Sequence, residues 1–172
     1  MKNALFLIVI ITVGIASSWG QNAPNAANNG PANGTYNATG TITFTAGGIK
    51  YSCSISKVIA ASTSITIQTS KADVKTNGSL IITCYTAKSA ITTGVYSASS
   101  SGTISSVTFI DKTVTPFTAT AMTTGSNCSV NITLLTSKII KGTFTATVLK
   151  PLDNTKLSIT DGMIDCCISQ FK

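Results

Sequence analysis

The chain has 172 residues, with 12 Lys and 5 Asp but no Glu, Arg or His, and a formal net charge of +7. Without His there is no Ser-His-Asp or Cys-His nucleophile pair and no His-bearing zinc site, and without Arg there is no bidentate clamp for phosphate or guanine. With Asp as the only carboxylate, paired-carboxylate chemistry has few candidates, so no catalytic residue, no cofactor and no nucleic-acid partner is expected.

Lys2 precedes an apolar run from Ala4 to Ile15 and then the small residues Ala16, Ser17 and Ser18. That run is shorter than the roughly 20 residues that cross a bilayer. A positive start, a short apolar stretch and small residues predict a secretory signal peptide over residues 1–20, with Gln21 as the new N-terminus. No transmembrane segment is expected after cleavage, and the protein is expected to be secreted, periplasmic or at the cell surface. The cleaved chain loses Lys2 and Trp19, the only Trp. Its remaining Lys residues are scattered, as befits solubility and the blocking of sheet edges.

Residues 21–38 hold Asn, Ala, Gly and Pro with almost no bulky apolar side chain, and read as a flexible arm. From Gly40 the texture becomes period-two. Ile42, Phe44 and Ala46 share one face and Thr41, Thr43 and Thr45 the other, and Ile49, Tyr51, Cys53 and Ile55 resume the pattern after Gly47-Gly48. Alternation on both sides of a Gly-Gly pair predicts a hairpin. Further strands are predicted at Ser64–Thr69, Ser79–Thr86, Gly94–Ala98, Thr103–Ile110, Phe117–Met122, Cys128–Leu135, Lys141–Leu149, Lys156–Thr160 and Met163–Ile168. Asp161-Gly162 reads as a turn between the last two, and no segment keeps a 3.6-residue period. The expected fold is all-β: an antiparallel β-sandwich or flattened barrel of about ten short strands, in one domain over residues 39–172.

Ser and Thr together number 50. Most are expected on the outward half of the strands, where β-branched Thr is favoured, over a core that includes Phe44, Phe109, Phe117 and Phe144. The rows Thr41/Thr43/Thr45 and Thr143/Thr145/Thr147 space their hydroxyls about 6.7 Å apart along a strand. A flat face of that kind could order water, although these are read as ordinary solvent-facing positions. Among the aromatics, Tyr36, Tyr85 and Tyr96 are the surface stackers, and Tyr85 and Tyr96 are the candidate ligand contacts.

The five Cys form no Cys-x-x-Cys pair, and a metal site would need four thiolates from scattered strands, so no metal is expected. Alternation points Cys53, Cys84, Cys128 and Cys166 inward and Cys167 outward. The inward four are candidate disulfide cysteines in an oxidising compartment, with three possible pairings, or else buried free thiols that pack as small hydrophobes, and Cys167 is the odd thiol. Asp161, Asp153 and Asn154 lack the spacing of a calcium loop and read as turn residues. Asn-x-Ser/Thr sites at Asn33, Asn37, Asn77, Asn127 and Asn131 would accept glycans only in a eukaryotic secretory route.

Four segments appear in order: Gly94-Val95-Tyr96, Ser129-Val130-Asn131-Ile132-Thr133, Lys141-Gly142-Thr143-Phe144-Thr145-Ala146, and Leu157-Ser158-Ile159-Thr160-Asp161-Gly162-Met163-Ile164. With the Gly47-Gly48 hairpin, this pattern over residues 40–168 resembles small, uncharacterised secreted and lipoprotein β-sandwich proteins of Bacteroidetes, whose ends read GTY … ITIT … GTFSFT … ITDGKF. The resemblance implies a cell-envelope or extracellular β-sandwich and carries over no catalytic residue. This chain departs from it in having five Cys and no lipobox Cys at the signal junction.

The expected role is non-enzymatic binding, of a cell-surface polysaccharide or a protein ligand. The alternative is a self-assembling subunit of a filament or matrix, with the arm pairing onto a neighbour's sheet edge. The oligomeric state is left open.

Overall fold

The computed structural model describes residues 30–72, 74–87, 90–98 and 102–169; the expected signal segment and residues 21–29 of the expected arm lie outside the described residues. The alternating segments become ten antiparallel strands: β1 (Gly34–Ala46), β2 (Ile49–Ala61), β3 (Ser64–Thr69), β4 (Ser79–Thr86), β5 (Gly94–Ser97), β6 (Thr103–Ile110), β7 (Pro116–Ala119), β8 (Asn127–Leu135), β9 (Ile139–Leu149) and β10 (Lys156–Ile168). One turn of helix, α1 (Val74–Asn77), leads into β4. No helix among the described residues is long and apolar enough to cross a membrane.

The sheet closes on itself in the order β1-β2-β3-β4-β6-β7-β9-β10 and back to β1, with β8 paired along the same edge of β9 that meets β7 and β5 paired outside β8. Closure is uneven. β9 and β10 share a ladder over most of their length, whereas β7 meets β9 through the single pair Thr118↔Leu149. The result is a closed antiparallel barrel of eight strands with a two-strand extension, an all-β fold of ten strands as the strand texture predicts.

Gly47 and Gly48 form the predicted hairpin turn with φ of 56° and 82°, the two positive values that a type I′ turn requires. The hairpin sets Phe44 directly opposite Tyr51, and their rings stack with centroids 5.1 Å apart. Phe109 meets both rings edge-on, at 5.3 and 5.0 Å, and Phe144 and Phe117 complete the cluster. Around it pack the inward Ile, Val and Leu of nearly every strand. Burying one such aromatic or aliphatic side chain stabilises the fold by about 1.5–3 kcal/mol, so this continuous interior is what holds a barrel with so thin a seam at β7–β9.

Two sequence-based expectations need correction. The arm does not extend to residue 38: β1 starts at Gly34, because Tyr36 packs against the core, its hydroxyl donating to the Ala32 carbonyl at 2.7 Å, and Ala38 is buried. Nor is Asp161-Gly162 a turn between two strands. β10 runs through it as one 13-residue strand carrying a β-bulge. Three residues from Ile159 to Gly162 on β10 span the two from Ala146 to Phe144 on β9, and Asp161, with φ of 54°, is the extra residue.

Candidate functional site

β1, β10, β9 and β8 lie side by side, so their outward positions form one surface. The register sets Thr43, Met163, Thr143 and Asn131 in one row across four strands, with Thr41, Asp165 and Lys141 in the next. Ser158, Thr147 and Asn127 make a third row, and Thr45 stands opposite Thr160. The two Thr rows noted in the sequence, 102 positions apart, are thereby brought onto one face with only β10 between them. Hydroxyls stand about 6.7 Å apart along β1 and β9 and about 4.7–4.9 Å apart where Thr45 meets Thr160 and Ser158 meets Thr147, while Met163 separates Thr43 from Thr143.

The bulge decides which β10 side chains join this face. In an unbroken strand Thr160 and Met163 would point to opposite sides, since they are three positions apart. The extra residue Asp161 absorbs one position, so Ser158, Thr160, Met163 and Asp165 are all exposed while Ile159, Gly162 and Ile164 face inward.

Two shallow hollows lie on this surface. One, about 380 Å³, is lined by Thr41, Thr43, Thr133, Lys141, Thr143, Met163 and Asp165 among others. The other, about 140 Å³, is lined by Asn127, Ser129, Thr145, Thr147, Ser158 and Thr160 with the strand backbone beneath. Lys141 Nζ and Asp165 Oδ1 stand 3.3 Å apart across β9 and β10, so the charges in the larger hollow cancel. That exposed pair adds little to stability. Its effect is to leave the larger hollow electrically neutral and hydroxyl-lined around the apolar side chain of Met163, which is 61% exposed, while Leu134 on β8 is also exposed opposite Lys141.

The candidate tyrosines are not brought together, and neither is on this face. Tyr96 is 4% exposed and belongs to the core; its hydroxyl accepts from the Thr92 N–H at 3.0 Å and donates to the Thr92 carbonyl at 2.7 Å. It offers no ring to a ligand, because alternation along β5 sends Val95 outward and Tyr96 inward. Tyr85 does face outward, 39% exposed, between Ser64 and Ile104 on the opposite wall of the barrel. Met163 escaped the sequence reading although the pattern that turned Cys167 outward also turned Met163 outward. The Asp-Gly step interrupted the alternation before it reached β10's first half.

Cys53, Cys84, Cys128 and Cys166 are buried and Cys167 is exposed, and all five are free thiols in the structure. Cys53 Sγ donates to the Asn77 carbonyl at 3.0 Å. Burial pushes the Cys84 thiol up to about 12, with the neighbouring Cys128 adding to the effect. Burial also raises Cys128, against a hydrogen bond from the Ser105 side chain that lowers it. Cys166 is raised to about 12 by burial and then by Cys167 beside it. These are poor nucleophiles while the chain is folded.

Asp153 and Asn154 lie in the turn between β9 and β10, where Asp153 accepts the Thr155 N–H at 2.9 Å and pairs with Lys150 at 3.0 Å. Asp161 sits in the bulge and accepts the Thr160 hydroxyl at 3.0 Å. Among the described residues, no group of three or more Cys or Asp could hold a metal ion. Comparisons with protein-family models, with curated proteins and with solved structures find no match to this chain.

Proposed function

We propose that the protein is exported and acts without catalysis, binding a neutral, hydroxyl-rich polymer such as a cell-surface polysaccharide on the β1-β10-β9-β8 face. One observation carries this reading: Thr41 and Thr43 from one Thr row and Thr143 from the other line a single hollow, with Met163 as its apolar centre. At about 380 Å³ it falls in the range of small-ligand sites, about 300–1,000 Å³. Thr and Asn side chains both donate and accept, which suits a ligand whose own groups are hydroxyls. Met163 takes the place of an aromatic platform beneath the apolar side of a sugar ring. Cancellation of Lys141 by Asp165 favours an uncharged ligand over an acidic one.

Each hydrogen bond to such a surface adds only about 0.5–1.5 kcal/mol net. Useful affinity therefore comes from a chain that engages both hollows at once, which raises the effective concentration of the second contact. Retention of the purified protein in gels containing neutral and anionic polysaccharides tests the reading. Retention by at least one neutral polymer is expected, weakened about tenfold by Met163→Glu and unchanged by Tyr85→Ser on the opposite wall. Retention by no polymer, or retention indifferent to Met163→Glu, overturns it.

A further inference from the structure

The strands of the closed barrel alternate in direction, so turns far apart in the sequence collect at one end. Gly47 of the β1–β2 hairpin donates its N–H to the Ser158 carbonyl at 3.3 Å, which sets that hairpin beside the β9–β10 turn. Lys112 in the β6–β7 turn stands with Nζ 5.6 Å from the centroid of the Tyr51 ring on β2. The β3–β4 connection reaches the same place, where Gly78 packs close to the Ile110 carbonyl and the Tyr51 ring. The β7–β8 loop joins them at Gly125, close to the Lys156 side chain.

Two kinds of side chain gather there. Six Lys that the sequence scatters (Lys50, Lys71, Lys75, Lys112, Lys150 and Lys156) lie in or beside these turns, five of them exposed and Lys150 half-buried. The same stretches of sequence hold three Asp (Asp73, Asp111 and Asp153), which leaves a net charge of +3. Asp153 is already paired with Lys150 at 3.0 Å, and Asp111 Oδ1 accepts three hydrogen bonds from Thr113 and Thr115 in its own turn. Among the Lys stand Ile49, Val114, Leu152 and Met122, each more than half exposed. The described turns at the opposite end, Ser62-Thr63 and Thr136–Lys138, hold no large apolar residue. Val114 is also strained. It takes the left-handed position, φ 64°, in the three-residue loop closed by Asp111 and Thr115, where Gly is favoured over a β-branched residue. Burial does not offset that strain, because the side chain is exposed.

We propose that this end of the barrel docks on an anionic lipid bilayer, with Ile49, Val114 and Leu152 entering the headgroup region and the surrounding Lys holding lipid phosphates. Charge complementarity selects an anionic partner. The apolar tips select a bilayer, since a soluble polyanion would bind the ammonium groups and leave the tips in water. Stable attachment of a peripheral protein takes two such signals, apolar insertion and a basic patch, and both are present here. Lys stems lie along apolar surface while their heads reach the phosphates. The docking surface caps one end of the barrel, apart from the polymer-binding wall, and neither needs the other.

The chain beginning at Gln21 keeps every described strand and lacks the apolar run Ala4–Ile15, which would bind lipid in its own right. It is sedimented with vesicles of phosphatidylcholine alone and of phosphatidylcholine mixed with phosphatidylglycerol. Binding to the mixed vesicles is expected, weakened by salt and at least about tenfold tighter than to phosphatidylcholine alone. Val114→Gly combined with Leu152→Ser should weaken it about tenfold. Lys50→Gln combined with Lys112→Gln should weaken it about thirtyfold. Tyr85→Ser, which removes an exposed apolar side chain from the wall, should leave it unchanged. Calorimetry separates docking from folding: Val114→Gly relieves the strained φ, so it is expected to raise the melting temperature while weakening vesicle binding, a pairing that a merely structural role would not produce. No binding to the mixed vesicles, equal binding to both kinds, or an equal loss with Tyr85→Ser overturns the proposal. Binding indifferent to the Lys variants also overturns it. Binding that falls with the Lys variants and ignores the tip variants marks a site for a soluble polyanion instead, and overturns it as well.

Discussion

Gly162 is the residue on which the β10 bulge turns, and replacing it by Ala is the sharpest test of how the hydroxyl face is built. A Cβ at Gly162 would fall inside van der Waals contact with the Phe144 carbonyl oxygen, and would lie 2.5 Å from ring atom Cδ1 and 2.6 Å from Cε1 of the same residue. Neither neighbour has room to yield. The carbonyl belongs to the β9 backbone, and the ring belongs to the aromatic cluster, 6.0 Å from Phe44. Overpacking of this kind costs about 1–3 kcal/mol, and loss of one ladder hydrogen bond as the strands separate costs about 1 kcal/mol more. The smaller entropy of an Ala in the unfolded chain returns about 0.4–1 kcal/mol. The net expectation is destabilisation by about 2–3 kcal/mol.

Urea unfolding followed by tyrosine fluorescence measures this directly. With a slope of about 1–3 kcal/mol per molar urea, the midpoint should fall by about 1–2 M without a change of slope. A companion variant separates collision from backbone strain. Asp161 holds φ at 54°, where Gly is unstrained and a β-branched residue is not. Asp161→Gly should therefore lie within about 0.5 kcal/mol of the parent, while Asp161→Val should lose about 1–2 kcal/mol. A Gly162→Ala protein with an unshifted midpoint would refute the close approach of β9 and β10, and with it the account of how Thr160 and Met163 reach the same face.

Two further outcomes follow from the core and from the β9–β10 turn. Phe109 is fully buried and touches Phe44, Tyr51 and Phe117, so Phe109→Ala is expected to cost about 3–5 kcal/mol; calorimetry showing an unchanged melting temperature would remove the aromatic cluster as the centre of stability. Asp153 is held well below the ordinary carboxylate range, at about 2, first by hydrogen bonds from the Thr155 hydroxyl and N–H and then by Lys150. A lowered folded value means that its contribution is complete above the ordinary range and fades as pH falls towards about 2. An NMR titration of the Asp153 carboxyl with a midpoint near 4 would contradict the turn geometry.

Much of the fold was readable because half-buried strands write their burial into the sequence at period two. β3, β4 and β6 end where the alternation ends, and the inward turn of Cys53, Cys84, Cys128 and Cys166 followed from the same rule. The rule failed where one residue was added without a turn. Asp161-Gly162 has turn chemistry, and only pairing with β9 and β1 on both sides shows that the strand continues through it. It failed again at Tyr36, where two inward side chains amid Asn, Gly and Thr were too few to mark a strand; β1 is ordered there by its ladder to β2. Tyr96 was misplaced for a related reason. A four-residue strand offers too little alternation to tell inside from outside, and the Thr92 backbone groups that satisfy its hydroxyl are a tertiary provision. The candidate face lay beyond any local reading. Thr43 and Thr143 become neighbours only because β10, the last strand, inserts between β1 and β9 and closes the ring. Ladder order, rather than any single motif, therefore turns two ordinary Thr rows into one surface. Its boundaries should respond to substitutions in the β10 bulge more than to substitutions of the individual threonines.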